Sequence, residues 1–301
     1  MTPPDSKNPQ FPNDGSGPLV PPEALLQHLD DPNVLIADCR ADIRDAAKGR
    51  ADYEASHLKN AVFADLDIDL SDLTQKGVLG RHPLPTDAAL SAAFSRWNLT
   101  PDMRVVAYDD EKGALAAARL WWLLRLAGHK HAYVLDGGLA AARAAGLPLE
   151  SGQERTREAH LEARLDRREV VWADELERRR HDGTIVLVDA RAAPRYRGEV
   201  EPIDTKAGHV PGALNRPFSD NLEASGRFKS AAHLRGEFYA LIGAFQPWQV
   251  VHMCGSGVTA CHNLLAMEAA GMQGSRVFAP SWSGWISDPS RAVGTAAQPG
   301  Q

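Results

Sequence analysis

The sequence predicts an α/β protein in which one plan, a parallel sheet flanked by helices, is used twice in tandem. Three observations carry this. Blocks of the first half recur in the second half in the same order. Short β-branched runs alternate with helical patterns in each half. One such run, in the second half, ends in a cysteine followed by two closely spaced glycines and a helical pattern.

The repeat is legible block by block. VLIADCRAD at 34–42 and IVLVDARAA at 185–193 both read as an apolar strand ending in Asp-x-Arg, which pairs Asp38 with Asp189 and Arg40 with Arg191. SHLKNAVFADL at 56–66 matches GHVPGALNRPF at 208–218 and aligns His57 with His209. VVAYD at 105–109 matches VVHMC at 250–254 and sets Asp109 opposite Cys254. Between the strands lie helical patterns such as ALAAARLWWLLRLAG at 114–128 and TACHNLLAMEAAG at 259–271. This alternation predicts parallel sheets covered on both faces, with ligands at the carboxyl ends of the strands. The polar, highly charged stretch 149–169 is expected to link the two domains, placed at 19–148 and 170–292, with a flexible tail at 1–18 and a second tail at 293–301.

With 301 residues, 44% of them hydrophobic, the chain can bury substantial cores. A net charge of −6 gives no reason to expect nucleic acid, so small solutes are the expected partners. The three cysteines, Cys39, Cys254 and Cys261, are odd in number and stand at no metal-ligand spacing. Neither a disulfide framework nor a zinc site is indicated, and a reducing compartment is expected. The first 18 residues have no apolar segment and do not read as a signal peptide. No apolar run approaches the ~18 residues that span a bilayer, so the expectation is a cytoplasmic protein with no membrane partner.

The stretch from Gln249 to Met272 reads as strand, tight loop and helix. Gly255 and Gly257 remove the Cβ atoms that would stop the loop from curling, so backbone N–H groups can turn inward around the Cys254 sulfur. A helix beginning at about Thr259 adds its unpaired N–H groups and partial positive charge at the same point. Such a setting favours a thiolate, and Cys254 reads as a nucleophile. An arbitrary cysteine is better read as packing; the glycines and the helix start reverse that here. Two other chemistries fit less well. GSGVTA at 255–260 imitates a dinucleotide fingerprint, but it sits late in its domain, and the next strand ends in Ala279 and Pro280 where an acidic residue is required. A cysteine phosphatase needs an arginine closing the loop, where this chain has Thr259, Ala260 and Cys261.

The six residues from Cys254 to Thr259, C-G-S-G-V-T, resemble the active-site loop of the rhodanese-type sulfurtransferases, in the form typical of those acting on 3-mercaptopyruvate. The basic loop residue usual in thiosulfate-specific members is absent. The resemblance covers roughly residues 19–292 and implies two tandem rhodanese-like domains, the first inactive because Asp109 replaces the nucleophile. It implies a two-step sulfur transfer without cofactor or metal. Cys254 takes a sulfane sulfur from 3-mercaptopyruvate or thiosulfate, and the persulfide, cradled by Gly255, Gly257, Val258 and Thr259, passes it to cyanide, a thiol or a thioredoxin-like protein. A non-catalytic persulfide carrier or sensor of the same fold is the alternative.

The resemblance also assigns side chains. Of the three arginines in DARAAPRYRG, it makes Arg195 the residue that holds the donor's anionic end, while Arg191, paired with Arg40, is read as structural. Taken alone, any of these arginines reads equally well as a solvated basic loop. The family's second carboxylate-binding arginine is missing, since the loop GEVEPIDTKAGH has Ile203 and Asp204 there and Lys206 as its one cation. A Ser-His-Asp group is expected from Ser256, His82 and Asp67, with Asp65 and Asp69 as rivals for the acidic role. Cys261 is expected to pack in the core. The segment VFAPSWSGW at 277–285 departs from the family at Ala279, Pro280 and Gly284.

Overall fold

In a computed structural model, which describes residues 17–153 and 161–295, the chain divides into two compact units. One comprises the chain up to Leu70, Asp87–Leu165 and Ala224–Arg227; the other comprises Ser71–Thr86, Asp166–Glu223 and the chain from Phe228 onward. The segment Ser71–Thr86 thus belongs with the second unit although it falls within the first repeat in sequence. Residues 1–16 and 296–301 of the expected tails, and 154–160 of the expected linker, lie outside the described residues.

Each unit is built on a five-stranded, all-parallel sheet, as the alternating pattern predicts. In the first unit the strands lie in the order Leu19–Val20, Ala132–Leu135, Arg104–Tyr108, Val34–Asp38 and Val62–Phe63. In the second the order is Val170–Val171, Arg276–Phe278, Val250–Met253, Val186–Asp189 and Leu214–Asn215. These are the same positions of one plan. The central strands are buried along nearly their whole length, which explains why they read as unbroken apolar runs rather than alternating ones.

Two devices recur in both units. Asp38 closes its strand and binds Arg40 through Nε (3.1 Å to each oxygen) and Nη2 (2.7 Å), and Nη2 also donates to the Ser56 carbonyl at 2.6 Å. Asp189 binds Arg191 in the same way, through Nε (3.1 and 3.0 Å) and Nη2 (2.6 Å), with a further bond to the Gly208 carbonyl at 2.7 Å. Both pairs are buried, so each charge is neutralised where water cannot do it. Burial pulls the Arg191 guanidinium toward deprotonation, but the Asp189 charge and hydrogen bonds, together with the nearby Glu201 and Cys254, outweigh that and raise its pKa. The second device is a histidine stacked on a tyrosine at 4.0 Å: His57 on Tyr53, and His209 on Tyr196, each ring Nδ1 meeting that tyrosine's own carbonyl.

The units part at the carboxyl end of the central strand. In the first, the fully buried Asp109 accepts N–H bonds from Glu111 (3.0 Å), Gly113 (2.7 Å), Leu115 (3.1 Å) and Ala117 (3.2 Å). A turn able to surround an anion is therefore filled by the chain's own carboxylate. Burial raises the Asp109 pKa to about 6. Folded Asp109 thus holds its proton more tightly than the unfolded chain does. Its contribution to stability is present in full below the ordinary carboxylate range and is lost as pH rises through about 6. Denaturant unfolding should show about 1 kcal/mol of this loss between pH 5 and pH 7, absent in Asp109→Asn. Asp109→Ala, which strands buried N–H groups and leaves nothing to titrate, should cost about 3 kcal/mol at pH 7 and about 1 kcal/mol more at pH 5.

Candidate active site

In the second unit the central strand Val250–Met253 delivers Cys254 to a loop that ends at the helix Ala260–Ala269, with Thr259 as N-cap. Cys254, Gly255, Ser256, Gly257 and Val258 are all buried. The Gly257 N–H points at the Cys254 sulfur, 3.2 Å away. Gly257 has φ +79°, and a Cβ on it would lie 2.3 Å from the Ala279 carbonyl oxygen. Both the turn and the close approach therefore demand glycine. Gly255 has an ordinary φ, and what it leaves room for is charge: a Cβ there would lie 2.8 Å from Arg81 Nη2 and 3.7 Å from both terminal nitrogens of Arg195.

The loop is held from behind by the segment after the next strand. The Cys254 N–H donates to Ser281 Oγ (3.1 Å), whose hydroxyl donates to the Phe278 carbonyl (3.0 Å). Trp282 N–H returns to the Cys254 carbonyl (3.0 Å) and Ser283 N–H to that of Gly255 (2.9 Å). Ser281 adopts φ +52°, uncommon for a residue with a side chain, to make this reversal. The unusual Gly284 has a local reason as well, since a Cβ there would meet the Pro280 Cβ at 2.4 Å and the Gly80 nitrogen at 3.2 Å.

Gly80 leads into Arg81 and His82. His82 Nδ1 and Ser256 Oγ share a hydrogen bond of 2.8 Å, and both residues are buried. The two sequence candidates are thus brought together. Asp67 lies in the first unit, half-buried, its N–H donating to Asp65 Oδ1 at 2.9 Å. Its two rivals are engaged there: Asp65 also accepts the Ile68 N–H, and Asp69 binds Arg96 at 2.7 Å.

The three arginines of DARAAPRYRG have different partners. Arg191 is locked to Asp189 and stacks on the Trp282 ring at 4.6 Å. Arg197 pairs with the exposed Glu199. Arg195 donates to Glu201 through Nε (3.2 Å) and Nη2 (2.7 Å), and to Asp204 through Nη2 (3.1 Å). Asp204 also binds Arg81. Lys206 contributes its carbonyl, which accepts the Trp282 indole N–H at 2.9 Å. Cys261 is fully buried and donates its S–H to the Gly257 carbonyl at 3.4 Å, the packing role expected of it. Ser281, Ser283 and Arg81 were missed by sequence reasoning. Arg81 had a signal available, a cation directly before the singled-out His82.

Among the described residues no cluster of His, Cys, Asp or Glu is placed to hold a metal ion, and no helix is long and apolar enough to cross a membrane. A buried cysteine at a strand-to-helix turn, a backbone N–H on its sulfur and cations beside the next residue suit covalent transfer of a group from an anionic donor. Comparison with known proteins agrees. Residues 21–145 and 173–288 each match the family described as Rhodanese-like domain. A Pseudomonas aeruginosa protein named "Probable 3-mercaptopyruvate sulfurtransferase" is 45% identical, over 93% of this chain and 99% of its own. The structure of a 3-mercaptopyruvate sulfurtransferase from Leishmania major superposes with a TM-score of 0.79 at 31% identity, covering 90% of this chain and 75% of that one. A 3-mercaptopyruvate sulfotransferase crystal structure from Escherichia coli gives 0.76 at 30%, covering 88% and 99%. The chain belongs to the tandem-domain rhodanese sulfurtransferases.

The backbone demand at Gly257 is separable by experiment. Gly212 has the same φ, +79°, with nothing within 4 Å of a Cβ. Gly212→Ala should cost only the conformational penalty of about 1–2 kcal/mol. Gly257→Ala should add the collision with Ala279, destabilise clearly more in chemical denaturation, and abolish transfer; equal costs would show that the loop yields.

Proposed function

We propose that the protein moves a sulfur atom from 3-mercaptopyruvate or thiosulfate to a thiophilic acceptor, carrying it as the sulfane sulfur of a persulfide on Cys254. The observation that carries this reading is the Gly257 N–H aimed at the Cys254 sulfur, at the start of a buried helix. With mercaptopyruvate, the Cys254 thiolate attacks the donor sulfur, an S–S bond forms and the donor's C–S bond breaks. The electron pair leaves on carbon as the enolate of pyruvate, which takes a proton. Ser256 and His82, already hydrogen-bonded, are suited to supply it; the acidic member, Asp67, enters the proposal on the sequence alone. Gly255, Gly257, Val258 and Thr259 form the cradle, and the donor's anionic end is held by Arg195.

In the second step a nucleophile takes the outer sulfur and restores the thiolate. Cyanide leaves as thiocyanate; a reduced dithiol protein of the thioredoxin type would release the sulfur as sulfide while forming its own disulfide. The C-G-S-G-V-T loop without a cation favours mercaptopyruvate over the doubly charged thiosulfate.

Incubation with donor alone should add one sulfur mass to the intact chain, lost in Cys254→Ser and kept in Cys39→Ser and Cys261→Ser. A non-catalytic carrier would load sulfur yet show no turnover with excess donor and cyanide. Ser256→Ala and His82→Ala should lower mercaptopyruvate turnover by about one to two powers of ten or more and thiosulfate turnover much less. Thiosulfate preference with indifference to both variants would remove the Ser256–His82 pair from the reaction and reverse the donor order.

A further inference from the structure

The Asp204 carboxylate is held between two guanidinium groups, one oxygen on Arg81 Nη1 and the other on Arg195 Nη2. These are the same two groups that would crowd a side chain at Gly255, the residue directly after the cysteine. We propose that Arg81 is the second cation of the donor clamp, and that Asp204 is an internal carboxylate which the donor's carboxylate displaces. The inference rests on the sulfur-transfer reading of Cys254.

Charge balance carries the argument. Arg191 faces Asp189, and Arg195 is already matched by Glu201, which binds it through two nitrogens and lies 3.5 Å from Arg191 as well. Without Arg81, these four groups have no positive charge to spare for a donor. With it, the cluster of Arg81, Arg191 and Arg195 against Asp189, Glu201 and Asp204 is neutral, and releasing Asp204 exposes one net positive charge. Glu201 is the poorer candidate to leave, because it also accepts the N–H groups of Ile203 and Asp204. Asp204 sits in an irregular segment with Ile203 and Thr205 exposed on either side.

Arg81 is also prepared for the task. Its backbone N–H is fixed by Ser283 Oγ at 3.0 Å, and Gly80 before it is wedged against the Pro280 carbonyl. The side chains of Arg81 and Arg195 remain 23% and 16% exposed, within reach of a solute, whereas that of Asp204 is 4% exposed. The carboxylate carbon of a 3-mercapto-2-oxo acid is three bonds from its sulfur. A donor reacting at Cys254 therefore carries its carboxylate into the neighbourhood of residue 255, where Asp204 already shows how two guanidiniums share one such group.

The test uses Arg81→Ala, Arg81→Lys and Asp204→Asn with 3-mercaptopyruvate as donor and pyruvate as a sulfur-free probe. Arg81→Ala should raise KM about tenfold to a hundredfold with kcat within about threefold, Arg81→Lys should fall between it and the parent, and Asp204→Asn should lower KM severalfold. Calorimetric binding of pyruvate, which involves no sulfur chemistry, should weaken in Arg81→Ala and tighten in Asp204→Asn. Unchanged KM and pyruvate binding in a folded Arg81→Ala protein would overturn the proposal, as would weaker pyruvate binding in Asp204→Asn. Failure of the sulfur-transfer reading looks different: no sulfur mass appears on the parent chain, while the pyruvate results still report on the clamp.

Discussion

The site depends on one close approach of two backbones. At Gly257 the chain turns through a left-handed conformation and passes the Ala279 carbonyl at a distance that no Cβ could tolerate. That turn brings the Gly257 N–H onto the Cys254 sulfur and starts the following helix in the same place. Everything behind it serves to keep the two segments together. Ser281 receives the Cys254 N–H, while Trp282 and Ser283 donate to the carbonyls of Cys254 and Gly255. The loop is thus clamped on its backbone, which leaves its side-chain positions free for chemistry.

Electrostatics around this loop are arranged in two layers. The buried Asp189–Arg191 pair has a twin at Asp38–Arg40 in the unit that lacks the cysteine, so it belongs to the fold plan rather than to the chemistry. Arg195 and Arg81 are tied instead to carboxylates that face them from one irregular segment of the second unit. A charge cluster that recurs in both copies reads as structural; one found beside a single nucleophile candidate reads as functional.

The fold was legible because its signals are local or repeated. Apolar runs such as VLIAD and VLVD, each closed by Asp-x-Arg, mark equivalent strands, and the strand order of the two sheets is the same. The Cys254–Thr259 loop was legible for the same reason, since its glycines and helix start are neighbours in the chain. What escaped was long-range. Arg81 meets Asp204 across 123 residues, and Ser281 reaches the Cys254 N–H across 27. No periodicity encodes such contacts. The missing second arginine was visible in the sequence as Ile203 and Asp204, but a replacement arriving from a distant segment was not. Asp109 was read as a lost nucleophile, whereas its carboxylate also fills the turn around it.

That filled turn bears on how the chain answers a rising concentration of anions. A ligand attached to its own receptor is present at an effective concentration that no free solute matches. The turn in the first copy of the plan is therefore occupied by Asp109, as a carboxylate above about pH 6. Within a single chain, the doubled architecture thus leaves the first copy of the turn closed by its own side chain.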